Sequence, residues 1–194
     1  MQTYEILSGV GQLYIAPVGT AFPGVTETPG VAWEPTGETQ DGVTITVSQT
    51  VVEIRSDQAT GPKKAIRSEE GFKIATNLLE ATLEKLAKIF EQSVTDTPPG
   101  SGTIGHRAIG LYRGSAVQTY ALLFRGEKMS PYGETYPGQF EVPVGYFGGD
   151  QGLAFKKDAA TVIPVEFSAL EDPNAATEGA RFGALRVQDA AALP

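Results

Sequence analysis

The chain has 194 residues, of which 41% are hydrophobic and 20% are charged, and these are values of a folded globular domain rather than a disordered chain. Its net charge of −8 argues against a protein that grips nucleic acid, because phosphate binding depends on cationic side chains. The absence of cysteine excludes a disulfide framework and a thiolate metal site, and no apolar run approaches the ~20 residues that span a bilayer. The 23 glycines and 13 prolines divide the chain into short apolar runs, which predicts a mainly β protein.

The segment over residues 41–57, DGVTITVSQTVVEIRSD, changes its apolar pattern halfway. Its apolar residues first occupy odd positions, up to Val47, and then even positions, at Val52 and Ile54. Because side chains alternate between the two faces of a strand, this slip predicts that the buried face changes. Two explanations are open: a bend or bulge in one continuous segment, or a simple hairpin that turns at residues 48–50.

Most of the remaining elements are also predicted to be strands. Residues 19–30, rich in Pro, Gly and Thr, predict a loop, and the polar residues 58–70 predict a long connection. Only residues 79–91 show a helical period, with Leu83 and Leu86 on the apolar side. The predicted fold class is mainly β (α+β), a β-sandwich or small barrel with one flanking helix. The further strands are expected over residues 12–18, 71–76, 116–124, 139–147 and 161–169.

Little in the sequence points to catalysis. The one histidine, His106, lies in a glycine-rich stretch without a Gly-x-Ser-x-Gly motif, so we interpret it as an exposed loop histidine. The GSGTIG stretch at residues 100–105 has the letters of a dinucleotide fingerprint, but it follows Pro98-Pro99 rather than a strand, which indicates a flexible loop. We therefore expect a protein that is not an enzyme and has no catalytic residue, metal site or cofactor.

Two blocks of the sequence, in order, resemble a known family. The first joins Asp41-Gly42 to VEIRSDQ at residues 52–58 and LEATLEKLA at residues 79–87, and the second is IPVEFSALED at residues 163–172. An acidic hairpin end before a strand and a short helix, followed by this late strand, resembles the tail tube (major tail) proteins of tailed bacteriophages. The similarity covers most of the chain, from about Trp33 to Asp172.

The resemblance implies a structural virion protein that forms one domain over residues 1–194. Such a protein polymerises as stacked hexameric rings into the tail tube, the conduit for DNA delivery into the host. Its implied partners are further copies of itself and the tape-measure, tail terminator and baseplate proteins. Double-stranded DNA would pass through without specific binding, and no membrane is involved. The implied location is the phage tail of the virion, after assembly in the host cytoplasm.

Within such a tube, we expect three parts of the chain to serve as assembly elements: the loops over 19–30 and 58–70, and a C-terminal tail over 173–194. The acidic balance of the chain would limit sticking of DNA phosphate to the channel. Two groups of residues have expected positions. We expect Glu53, Arg55 and Asp57 to face the lumen, and Lys63, Lys64 and Arg67 to contact the acidic N-terminal region of the next ring.

Two other functions remain open on the sequence alone. A β-sandwich binding module for carbohydrate or protein would use an exposed patch of aromatic residues, and the available ones are scattered along the chain. These aromatic residues are Trp33, Tyr112, Tyr132, Tyr136 and Tyr146. A tail-completion or baseplate hub protein of the same fold is the other alternative, and it would differ from a tube protein in copy number.

Overall fold

A computed structural model of the chain describes residues 6–7, 9–80, 82–155, 157–158 and 160–191. These residues are mainly β, as predicted, with one short α-helix among them. A single 3-10 turn covers Glu178–Ala180. The other elements in chain order are β1 Gly11–Pro17, β2 Glu34–Pro35, β3 Thr39–Ile54, β4 Lys64–Leu78, α1 Leu83–Ile89, β5 Val94–Thr97, β6 His106–Ile109, β7 Tyr120–Gly126, β8 Gly138–Gly148, β9 Ile163–Ala169 and β10 Ala184–Val187.

Eight of these strands form one antiparallel sheet in the order β2-β1-β7-β8-β9-β4-β3, with β10 paired to β8. Strand β8 links the two halves of the sheet, β2-β1-β7 and β9-β4-β3, because it pairs with β7 on one edge and with β9 on the other. The first residues of β8 pair with β10, and its last residues pair with β9. The sheet folds over on itself, since Ile15 of β1, Leu78 of β4 and Ile89 of α1 line one cavity. The two halves therefore enclose a core, consistent with the predicted sandwich and flanking helix. Strands β5 and β6 form a separate two-stranded sheet.

The main core lies between these halves and beneath α1. Its most buried members are Ile74, Leu122, Val142 and Ile163, each 2% exposed or less. Helix α1 begins after Thr82, whose hydroxyl accepts a hydrogen bond from the Lys85 amide. The helix is shorter than the predicted 79–91, because the residues up to 78 continue β4 and the Leu79 amide bonds to the carbonyl of Glu38.

Strands β3 and β4 correct two expectations from the sequence. The segment with the apolar slip is one continuous strand, so a hairpin turning at residues 48–50 is wrong. The predicted connection over 58–70 is also wrong in its second half, because β4 begins at Lys64 and pairs along the whole of β3. The turn-forming pair Asp41-Gly42 lies inside β3 as an irregularity, with positive φ values of 64° and 80°.

The loop over residues 19–30 is packed onto its own chain. The indole nitrogen of Trp33 donates to the carbonyl of Ala21 at 3.0 Å, and the Phe22 and Trp33 rings lie 5.0 Å apart. These rings cover Ala121 of β7 in a second small core. The guanidinium of Arg125 donates to carbonyl oxygens of the same loop, including that of Val25 at 2.7 Å. Contacts within the same subunit therefore fix this loop at several points.

The C-terminal segment is also anchored, through β10. Arg186 of β10 places its Nε 3.0 Å from a carboxylate oxygen of Glu141 on β8, and the side chain of Glu141 is only 6% exposed. A buried carboxylate is costly unless a cation or hydrogen-bond donor accompanies it. The amide of Gln139 supplies a donor to the other oxygen at 2.7 Å. The expected tail over 173–194 thus contains a strand of the main sheet.

We expect Arg186→Ala to lower the free energy of unfolding by about 1–3 kcal/mol, because it removes a charged hydrogen bond to a buried carboxylate. Urea unfolding monitored by Trp33 fluorescence measures this change. The matched control is Arg181→Ala, whose partner Glu171 is 62% exposed, and here a loss of at most about 1 kcal/mol is expected. Equal losses in the two variants would contradict the anchoring role of Arg186.

Candidate assembly surface

The hairpin of β3 and β4 extends beyond the packed body of the protein. Every residue from 46 to 54 in β3 and from 64 to 70 in β4 is exposed. We call this part, with its connecting residues 55–63, the arm. A two-stranded ribbon without a packed face is only marginally stable in water. The arm is therefore suited to gain its packing from another molecule.

The outer edge of β3 is open along its length. Strand β3 has 16 residues, ends the order of strands in the sheet and pairs on one side only, with β4, among the described strands. The unpaired backbone groups of a long edge strand form a template for another strand. The shape of the chain thus offers both an exposed ribbon and an open edge for association.

A bulge lies within the arm. The register of the pair changes from Thr50 opposite Glu69 to Val51 opposite Arg67, which leaves Ser68 of β4 as the extra residue. Strand β3 itself runs without an inserted residue at this point, so its side chains keep alternating. The apolar side chains at Val52 and Ile54 therefore point to the opposite face of β3 from those at Val43 and Ile45. The extra residue of the bulge lies on β4.

The two faces of the arm differ in character. On one face Val52 lies opposite Ile66 and Ile54 lies opposite Lys64, and these three apolar side chains are 44–51% exposed. We call Val52, Ile54 and Ile66 the apolar triad. The other face is mainly polar, with Val51 (46% exposed) among charged and amide side chains. There Arg67 donates to the Gln49 side chain at 2.8 Å and forms an ion pair with Glu70 at 2.5 Å.

The residues expected in the lumen lie at the end of the arm. Glu53 belongs to β3 and is on the polar face of the arm, whereas Arg55 and Asp57 follow the strand in the connecting loop. All three are exposed. The Arg55 guanidinium pairs with Glu53 at 2.6 Å and donates to the carbonyl of Thr60 at 3.2 Å. The structure therefore groups Glu53 with Arg55.

The basic residues expected at a contact between rings do not form one cluster. Lys63 ends the connecting loop, and its amide donates to the carbonyl of Ile54 at 2.8 Å. Lys64 lies on the face of the apolar triad, opposite Ile54. Arg67 lies on the polar face, where Gln49 and Glu70 already engage it. Only Lys63 and Lys64 stay together at the tip.

A second polar surface covers the outer face of β3, β4 and β9 in the body. The register aligns Thr46 with Lys73 and Ser168, and Thr44 with Ala75 and Glu166. Lys73 and Glu166 form an ion pair at 2.8 Å. The hydrogen bond and negative charge of Glu166 raise the pKa of Lys73, so the lysine stays protonated and its charge is locally balanced. We call this surface the polar body face.

The other candidate residues lie elsewhere. His106 is exposed, as expected, although it begins β6 rather than lying in a loop. Trp33 is 5% exposed and packs in the second core, so it is not part of an exposed aromatic patch. The described residues contain no cluster of three or more acidic or histidine side chains suited to a metal. No helix among them is long and apolar enough to span a bilayer.

The polar body face and the apolar triad were not predicted from the sequence. A signal for the triad existed, because the even-numbered apolar residues Val52 and Ile54 match Ile66 across the hairpin. The polar body face depends on the pairing of β4 with the distant β9, which no local pattern specifies.

The chain matches a known protein family. A protein-family model described as "Phage tail tube protein" matches residues 2–182. No curated protein matches the chain. The matched range includes the arm, the polar body face and the helix.

Proposed function

The chain belongs to the phage tail tube protein family, and from that premise we propose that six copies close into a ring and that such rings stack into a tail tube. The protein has a structural role in the tail, and this role needs no catalytic step. The tube serves as the conduit through which double-stranded DNA passes into the host. The subunits assemble in the host cytoplasm and remain in the virion.

The observation that carries this proposal is the open edge of β3. Its 16 residues give one copy an edge long enough to join a strand of the next copy. Such pairing, repeated around an axis, closes the sheets into a barrel and removes the open edges. Strands β8, β9, β4 and β3 are neighbours in the sheet, so each copy contributes a four-stranded segment to the wall.

We assign the polar body face to the wall of the channel. The opposite face of β3 and β4 is occupied, because Ile45, Phe72 and Ile74 pack into the core. The remaining face presents Thr44 and Thr46 together with the ion pair of Lys73 and Glu166. A surface with little excess positive charge gives DNA phosphate no strong site to bind, so DNA slides without adhering.

The change of face in the arm fits this arrangement. A twisted two-stranded ribbon turns its faces along its length, and a bulge increases the twist. If the arm turns over between body and tip, its polar side, with Glu53, continues toward the channel and its apolar side points away. Arg55 and Asp57 then border the channel near the junction of two rings.

Stacking of rings is assigned to the tip of the arm. Lys63 and Lys64 there are exposed and lie beside the apolar triad, so they are placed to meet acidic residues of the next ring. The loop over 19–30 and the C-terminal strand β10 are held on their own chain, which leaves the arm as the main assembly element. At the two ends of the tube, the tail terminator and baseplate proteins would meet the same surfaces, and the tape-measure protein would occupy the channel during assembly.

Light scattering on a sizing column tests the ring. We expect the concentrated protein to form species of six times the 20.5 kDa chain mass, and multiples of that mass as rings stack. Dimers or tetramers as the final species would contradict a hexameric ring. Copy number in intact particles separates a tube protein from a tail-completion or hub protein, because only the tube requires many rings.

A further inference from the structure

An apolar groove opens at the end of the sandwich that lies away from the arm. Its floor is formed by Ile15, Leu78, Ile89 and Phe147, which otherwise belong to the main core. The cavity measures about 270 Å³. Pro35 of β2 and the side chains of the first turns of α1 form the rim. These four side chains are only 2–5% exposed, so the groove is narrow, and an apolar side chain that enters it would contact mainly carbon atoms.

The groove and the tip of the arm lie at opposite ends of the same hairpin. Leu78, in the groove, is the last residue of β4, and Lys64, in the arm, is the first. The 15 residues of β4 place these two ends roughly 45 Å apart at the usual rise of a strand. When identical copies stack head to tail along this direction, the arm of one copy reaches the groove of the next.

We propose that the apolar triad of one copy docks into this groove of a second copy in the adjacent ring. This inference rests on the proposed function and names the surface that receives the arm. In its own chain the triad side chains are 44–51% exposed, and the space of the groove above its core floor is unfilled. A contact between two different surfaces of identical subunits either closes a ring or continues along an axis, depending on the rotation it imposes, and a contact directed along the hairpin continues from one ring to the next.

The charges around the two surfaces also match. Lys64 lies on the face of the triad, opposite Ile54. On the rim of the groove, the carboxylates of Glu34 and Glu84 are 61% and 51% exposed, although Lys88 and Arg107 already pair with them. Exposed carboxylates of this kind can accept a second cation. Glu34 belongs to the acidic N-terminal region that the basic residues of the arm were expected to meet.

Disulfide trapping between single-cysteine variants tests the contact, because the natural chain has no cysteine. Ile54→Cys in the triad is mixed with Thr36→Cys at the groove, and the mixture is assembled and oxidised under mild conditions. Electron microscopy of the same sample establishes whether polymer is present. On a non-reducing gel, we expect the mixture to contain at least about tenfold more cross-linked dimer than either variant alone. The matched control replaces Ile54→Cys by Val51→Cys, which is 46% exposed on the other face of the arm.

The outcomes separate the two proposals. Polymer with the Ile54–Thr36 cross-link, and without the Val51–Thr36 cross-link, supports docking in the groove. Polymer with no cross-link, or with equal cross-linking of both pairs, overturns the groove as the receiving surface and leaves the tube intact. The absence of any polymer in the variants and in the natural chain overturns both proposals together.

Discussion

The double variant Val52→Asp with Ile66→Asp is expected to abolish growth of the tube and to leave the subunit folded. In the isolated chain these side chains are 51% and 44% exposed, so the new carboxylates remain in water. In an assembled contact both would be buried without a partner, at a cost of several kcal/mol per charge. A loss of only about 3 kcal/mol per contact already raises the concentration needed for assembly by more than ~100-fold.

Sedimentation of the polymer measures this concentration, and thermal unfolding of the dilute subunit shows whether it stays folded. The free energy of unfolding of the subunit is expected to fall by about 1–2 kcal/mol, because aspartate disfavours a strand and the two new carboxylates lie opposite each other in the arm. Val31→Asp is the matched control, since Val31 is fully exposed and lies outside the arm. Normal growth of the double variant would show that the apolar triad takes no part in assembly.

The second large effect is expected from lysines on the polar body face. Thr44→Lys with Thr46→Lys adds two positive charges per copy on exposed positions of β3. Tubes should form as before, but DNA inside the channel should now be held by these charges. Binding of this kind weakens steeply with salt, because each neutralised phosphate releases counterions. We expect tubes of this variant to retain DNA that is protected from nuclease at low salt and to release it at high salt.

The control for this experiment places the same charge on another surface. Thr26→Lys with Thr28→Lys adds two lysines in the loop over residues 19–30. This loop covers the face of β1 and β7 that is turned away from the main core. DNA bound by this variant should lie outside the channel and remain open to nuclease. Protection in the control but not in the variant would place the polar body face on the outside of the tube.

Local patterns in the sequence predicted most of the strands. The alternation of apolar residues located the long segment before residue 57, and the structure confirms that β3 spans most of it. The period of the apolar residues located the helix, but its first predicted turn lies between β4 and α1, because the Leu79 amide bonds to the carbonyl of Glu38. Tertiary pairing overrides local propensity at such boundaries. The short strands β2, β5, β6 and β10 have too few residues for a recognisable period.

The candidate surfaces were only partly predictable. The slip between Val47 and Val52 predicted a change of the buried face. The structure has a bulge on β4 there, but both faces of β3 beyond residue 45 are exposed, so no second buried face is formed within the subunit. The polar composition of residues 58–70 predicts a connection, whereas residues 64–70 pair with β3 as an exposed ribbon. Polar residues on both faces are normal for such a ribbon, so composition alone could not separate it from a loop. Only the register between β3 and β4 determines on which face of the arm each charged residue lies.

The most direct test of the central claim is electron microscopy of the concentrated protein, with a sulfate salt added to strengthen apolar contacts. The proposed ring predicts hollow tubes with an axial channel, in which the β3 edge pairs with a neighbouring copy and the polar body face surrounds the channel. Solid filaments, or a chain that stays monomeric at every concentration, would contradict it.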